Sequence, residues 1–150
     1  RDLFCRHRIG RVNIGGNFSV EFDMVVHGKK AQWNSILHIG EDNHQRSPGF
    51  WLYPGDTKLH VRMSDAASWN TGYDPPERLQ LNTKYSVKIE GVNGTVSFYL
   101  NGTMMKAAAT KHTQRQICPV WVGDPWHDEA NVTVSNLNIY GPPKEVCGHK

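Results

Sequence analysis

Within residues 36–63, polar and aromatic side chains alternate with an apolar set: His38, then Trp51 and Tyr53, then His60 and Arg62. These are the residue types that hold sugars. Aromatic faces stack on ring C–H groups, and Asn, Asp, His and Arg hydrogen-bond the hydroxyls, most strongly where one partner is charged. With Leu59, Val61 and Met63 turned inward, His60 and Arg62 point to the other face of their sheet. His38, Trp51 and Tyr53 join them if the three strands are neighbours. A second set is loop-borne: Asp42, Asn43 and Arg46, with Trp69, Asn70 and Asp74 from the long 65–83 connection. A connection of that length without periodicity is often functional in a compact domain. The plainer reading makes each residue a cover for the sheet or a pin for its loop.

Other chemistry has weaker support. Glu41-Asp42-Asn43 and the group Asp124, Asp128, Glu129 and Asn131 offer the hard oxygen ligands that Ca²⁺ takes, with Asp124 and Asp128 the foremost candidates. Eight histidines show no convincing zinc spacing. No G-x-S-x-G, H-E-x-x-H or glycine-rich phosphate loop occurs, so no catalytic residue is assigned and no enzyme is expected.

The three cysteines are Cys5, Cys118 and Cys147. The odd count leaves one over after any single intrachain bridge. A Cys5–Cys147 bridge would close the domain and leave Cys118 buried and free. The rival is an interchain bridge through Cys5 or Cys147, giving a disulfide-linked homodimer. Four N-x-S/T sequons, at Asn17, Asn93, Asn101 and Asn131, mark candidate glycosylation sites. They favour a mature chain beginning at Arg1 after signal removal, hence a secreted protein, over a trimmed one.

Bulk properties narrow the partners. The 150 residues suit one domain over 1–150. Hydrophobic residues at 38% and charged residues at 21% describe a globular chain. No apolar stretch approaches the roughly 20 residues of a membrane helix, so no membrane insertion is expected. The net charge of +3 is spread along the chain without a basic run interleaved with aromatics, so no nucleic acid is expected.

The elements that must position these residues are strands. No segment keeps apolar residues at helical spacing over three turns, whereas alternation with period two recurs in Phe18–Val26, Leu59–Met63, Tyr85–Ile89 and Val96–Leu100. Between Val132 and Tyr140 the apolar parity changes, which predicts a bulge near Ser135-Asn136. Turn signals divide the chain into about ten strands, over 3–13, 17–26, 34–39, 49–53, 58–64, 84–91, 95–100, 103–108, 117–123 and 131–140. Many short strands at this length predict an all-β, two-sheet antiparallel sandwich, a jelly roll. A tally of strand reversals assigns loops 14–16, 40–48, 54–57, 92–94 and 109–116 to one end. It assigns 27–33, 65–83, 101–102 and 124–130 to the other, and makes the first and last strands antiparallel neighbours.

Trp33-Asn34-Ser35-Ile36-Leu37-His38, Arg46-Ser47-Pro48-Gly49-Phe50-Trp51 and Leu59-His60-Val61 together resemble the laminin-G-like, concanavalin A-like jelly-roll superfamily. Leu81 to Ile89, the hairpin Phe98-Tyr99-Leu100-Asn101-Gly102, Val122 to Trp126 and Asn136 to Tyr140 extend the likeness over roughly residues 17 to 141. The resemblance implies a fold shared by lectins, adhesion modules and some glucanases, many with Ca²⁺ at a loop rim. The glucanase strand motif of alternating carboxylates, placed about 5 Å apart for a retaining mechanism, is incomplete here. Glu21-Phe22-Asp23 is followed by Met24, Val25 and Val26. The galectin motif H-x-N-x-R is also missing. The expectation is a secreted lectin that binds glycans or glycoproteins without catalysis. The alternatives are a laminin-G-like adhesion module with a protein partner and a divergent glycosidase.

Overall fold

The computed structural model describes residues 8–14, 17–109, 115–140 and 143–145. Thirteen strands lie among them: β1 (Arg8–Ile14), β2 (Phe18–Val26), β3 (Asn34–Ile39), β4 (Gly49–Leu52), β5 (Leu59–Arg62), β6 (Gly72–Tyr73), β7 (Lys84–Val92), β8 (Thr95–Leu100), β9 (Thr103–Ala109), β10 (Arg115–Trp121), β11 (Asp128–Glu129), β12 (Val132–Tyr140) and β13 (Pro143–Glu145). They form two sheets. The first runs β13-β1-β10-β3-β4-β5-β6, with β11 alongside β3; the second runs β12-β2-β7-β8-β9. All pairings are antiparallel except β11 with β3.

Alternation decides which side chains enter the core. In β2 the buried positions are Phe18, Val20, Phe22, Met24 and Val26. Register sets Val20 beside Ile89 and Phe22 beside Val87 on β7. From the other sheet, Ile36, Leu37, Ile39, Phe50, Leu52, Leu59, Val61 and Val120 close the layer. The Phe22 and Phe50 rings meet edge to face at 5.0 Å, joining the sheets. Burying each such side chain contributes about 1.5–3 kcal/mol.

The change of parity in β12 is a bulge, as its sequence predicts. The register with β2 shifts between Ser135 and Asn138, and Asn136 takes a left-handed φ of 53°. Asn and Gly are the residues that tolerate that region.

Three features differ from the expectation. The short strands β6, β11 and β13 carry too few residues to show a period. The last strand of the alternating pattern, β12, lies beside β2 in the second sheet; it is β13 that pairs with β1. The tally of reversals also misplaced the loops. Between the end of β3 and the end of β5 the chain reverses twice, which returns it to the same end of the sheet. Loops 40–48 and 63–71 therefore emerge together, and 53–58 lies at the opposite end.

Cys5 and Cys147 lie outside the described residues. Cys118 stands opposite Val12 in the β1–β10 register. The four sequon asparagines, Asn17, Asn93, Asn101 and Asn131, are all exposed.

Candidate functional site

The outer face of β3, β4 and β5 carries the polar set, and a bulge in β3 explains how. Ser35 pairs with Trp51 and Leu37 with Phe50, so Ile36 is the extra residue. The bulge lets both Ile36 and Leu37 be buried while His38 returns to the outer face opposite Gly49. Trp51 lies flat over Gly49: a Cβ there would stand 2.4 Å from Trp51 Cη2. The indole is 1% exposed and forms the floor of the site.

Loop 40–48 is tied from within. The backbone N–H groups of His44 and Gln45 donate to Asp42 Oδ1 at 2.8 and 2.9 Å. His38 Nε2 donates to the carbonyls of Asp42 and Gln45 at 3.0 and 2.9 Å. Loop 63–71 is tied in the same way, with Ala67 and Ser68 N–H donating to Asp65 Oδ1. Ser64 then joins the loops: its N–H donates to Arg46 O at 2.6 Å, and its hydroxyl accepts from Arg46 N–H at 2.9 Å and donates to Trp69 O at 2.7 Å. His44 stacks on Trp69 at 4.1 Å.

Between the loops lies Arg46. Its guanidinium is sandwiched by two indoles, 4.4 Å from the Trp51 ring and 4.7 Å from the Trp69 ring. Nε donates to Asn43 O at 2.8 Å, Nη2 to Asn43 Oδ1 at 3.2 Å and Nη1 to Asn70 Oδ1 at 2.6 Å. Asn70 Oδ1 also accepts from Arg62 Nε at 3.2 Å.

Asp74, just after β6, is the second node. It accepts from the Tyr53 hydroxyl, from His60 Nδ1 at 2.9 Å and from Arg62 Nη1 at 2.8 Å. Burial pushes its carboxyl upward, but the bonds from Tyr53 and Arg62 outweigh that and hold it below the usual range. Burial, then the Arg62 charge, push the His60 imidazole down to about 4. At neutral pH His60 is uncharged. Its Nδ1 proton goes to Asp74, so Nε2 carries a lone pair that accepts hydroxyl donors.

The third wall comes from the 122–131 connection. Asp124 is buried; its Oδ1 accepts from the N–H groups of Trp126 and His127 at 2.9 Å each and from His127 Nδ1 at 3.0 Å. His38 Nδ1 approaches Oδ2 at 3.5 Å. Burial opposes the charge on Asp124, but His127 and His38 hold the carboxyl well below its ordinary range. Trp51 Nε1 lies 3.3 Å from His127 Nδ1.

These elements enclose a cavity of about 220 Å³ lined by Trp33, Arg46, Trp51, His60, Trp69, Asn70 and His127. Ligand pockets commonly run to about 300–1,000 Å³, so this one suits a single small ring. Trp33 and Trp69 are 37% and 44% exposed and stand at its mouth. Trp33 rests against Tyr53 at 4.5 Å and His60 at 4.8 Å.

Of the residues singled out by sequence, Arg46, Trp51, His60, Trp69 and Asn70 line the cavity. His38, Asp42, Asn43, Tyr53 and Arg62 stand behind it as supports. His127 was missed, and Trp33 was noticed only as part of a fold pattern. The signal for His127 was the turn Asp124-Pro125-Trp126, whose Asp side chain folds the following residues back over the sheet. Asp124 is thus an internal acceptor beneath the site rather than a rim carboxylate, whereas Asp128 is exposed on β11. Among the described residues no three His, Cys, Asp or Glu side chains gather as a cation site.

Glu21 and Asp23 lie elsewhere, on the outer face of the second sheet, in a wider groove of about 760 Å³. Asp23 is committed there, accepting from Ser86 Oγ and Asn136 Nδ2 at 2.7 Å each. Of the groove's two aromatics, Phe22 is buried in the core, and Tyr99 donates to Glu90 at 3.0 Å and is covered by Lys88 Nζ at 5.4 Å. The smaller cavity, with two half-exposed indoles at its mouth, is the better candidate.

No known protein family and no curated protein matches the sequence. Solved structures do match. A mutant Trypanosoma rangeli sialidase displaying trans-sialidase activity superposes with a TM-score of 0.63 at 17% identity, over 85% of this chain and 21% of the other. A heptameric SAP-like pentraxin from Limulus polyphemus gives 0.60 at 15% identity, over 89% and 66%. The alginate lyase AlgAT5 of polysaccharide lyase family 7 gives 0.60 at 14%, over 86% and 61%. The fold is a jelly roll of the concanavalin A-like kind. This chain spans only about a fifth of the length of the sialidase, 21%. At these identities the likeness is one of fold.

Proposed function

We propose that this chain binds carbohydrate, without catalysis, in the cavity between Trp33 and Trp69. The observation that carries the reading is the pairing of two half-open indoles with a ring of fixed polar groups. Trp33 and Trp69 offer apolar indole surface for a sugar ring, Trp69 through the part that His44 and Arg46 leave exposed. Arg46, Asn70 and the His60 lone pair offer hydrogen bonds at set positions, because each is held by residues behind it. The names sialidase and alginate lyase among the similar structures belong to proteins of carbohydrate chemistry, which agrees with the reading.

Binding without chemistry is favoured because the nearest carboxylates are engaged. Asp74 is held by Tyr53, His60 and Arg62, and Asp124 by His127. Neither lines the cavity. The exposed sequon asparagines suit a secreted glycoprotein with glycans or glycoproteins as partners.

A glycan array with the wild-type chain and the Trp69→Ala and Trp33→Ala variants tests this. The expected result is binding to a defined glycan group, lost in both variants. A wild-type chain that binds no glycan, with and without calcium, would sink the proposal.

A further inference from the structure

Arg46 is a nearly buried cation whose partners are all neutral. It is 7% exposed, and its three hydrogen bonds go to a backbone carbonyl and two amide oxygens. Other arginines are paired with carboxylates: Arg62 with Asp74, Arg11 with Glu41, Arg78 with Asp56. Among the described residues no carboxylate pairs with Arg46. A charge removed from water is costly unless a counter-ion meets it. Stacking between Trp51 and Trp69 offsets part of that cost without neutralising the charge.

Arg46 lines the cavity. A guanidinium has five N–H donors, and three are used, so two remain on the terminal nitrogens. Among the described residues no acidic side chain lines the cavity; its polar lining is Arg46, His60, Asn70 and His127. Asp74 and Asp124 stand behind the wall, so the charged group that lines the cavity itself is Arg46. Burial and the neighbouring Arg62 push Arg46 down while the more distant Asp124 charge holds it up, leaving it at about 10, so it stays charged at neutral pH.

We propose that the cavity is built for an acidic sugar, whose carboxylate is taken by the two remaining N–H groups of Arg46 while Trp33 and Trp69 hold the ring. This rests on the reading of the cavity as a sugar site and narrows its ligand to carboxylated sugars. A planar carboxylate matches a guanidinium with two parallel bonds, a geometry that neutral hydroxyls do not reproduce. Uronates and sialates share this chemistry.

The test is calorimetric titration of the wild-type chain with matched pairs: glucuronate, its methyl ester and glucose, and sialyllactose with lactose. The expected result is at least about a tenfold preference for one acid over its neutral partner, shrinking at about 0.5 M salt. Which acid wins identifies the source of the carboxylate. In Asn70→Asp a built-in carboxylate would lie between Arg46 and Arg62, and the acid-to-neutral ratio is expected to fall to about one. Equal affinity of the wild-type chain for acids and their neutral partners overturns this inference but leaves the carbohydrate reading standing. No binding by any sugar overturns both. A folded Asn70→Asp chain that keeps its preference also overturns it. If that variant does not fold, the ester comparison on the wild-type chain decides.

Discussion

Arg46 Nη1 donates to Asn70 Oδ1 across 2.6 Å, joining two loops whose contact residues are 24 positions apart in sequence. The bond exists because β3, β4 and β5 form a meander with both loops at one end. Trp69, next to Asn70, then covers the guanidinium from outside while Trp51 covers it from beneath.

Trp69→Ala tests that cover. Residue 69 is half exposed, so truncation should lower the melting temperature only modestly, through the lost stacking on Arg46 and His44. It removes a cation–π partner of Arg46 and the exposed indole surface at the cavity mouth, worth about 1–2 kcal/mol together to a bound ring. The expected outcome is a loss of glycan affinity of roughly tenfold by titration calorimetry. Unchanged affinity would place the ligand elsewhere.

Gly49→Ala probes the floor. The added methyl would meet the Trp51 ring well inside contact distance, 2.4 Å from Cη2. The ring must lift, and overpacking of this kind costs about 1–3 kcal/mol. Both stability and binding should fall, with the Trp51 displacement visible as altered tryptophan fluorescence.

The His60–Asp74 pair makes stability depend on pH. The folded His60 is depressed to about 4 from an ordinary value of 6.5. A depressed group stabilises the fold above its unfolded pKa, and that contribution is lost as pH falls through the folded value. The expected melting curve therefore drops between about pH 6.5 and pH 4, by about 1–2 kcal/mol after allowance for solvent screening. His60→Asn keeps a donor for Asp74 without titrating, and its drop over that interval should be smaller. An identical pH profile in wild type and variant would exclude His60 as the cause.

Asp124→Asn addresses the expectation of calcium. The side chain already accepts from two backbone N–H groups and from His127. The amide keeps the shape but loses the charge that favours His127. The expected outcome is a lower melting temperature, equal in calcium and in chelator. A wild-type chain that loses glycan affinity on chelation would return calcium to the account.

Much of the fold was legible because a half-buried strand writes its inward face every second residue. Each of the ten strands in the pattern has a counterpart among the described residues, with several ends shifted, and residues 3–7 of the first lie outside them. The bulge in β12 could be read from parity alone. The two-residue strands could not, since two residues show no period. The site was legible in its types: Arg46, Trp51, His60, Trp69 and Asn70 stand out as residues a core does not need. Their meeting was not legible, because it depends on counting reversals across the whole meander and on one bulged residue, Ile36.

The sequence by itself determined an all-β chain with a polar, aromatic outer face on β3 to β5, since alternation and turn chemistry are local. Only the tertiary structure decided that loops 40–48 and 63–71 close over that face from the same end. Only it brought His127 above Trp51, and only it left Arg46 buried among neutral partners. Those facts are set by long-range register and by which groups burial strips of water, and neither is written in any short stretch of chain.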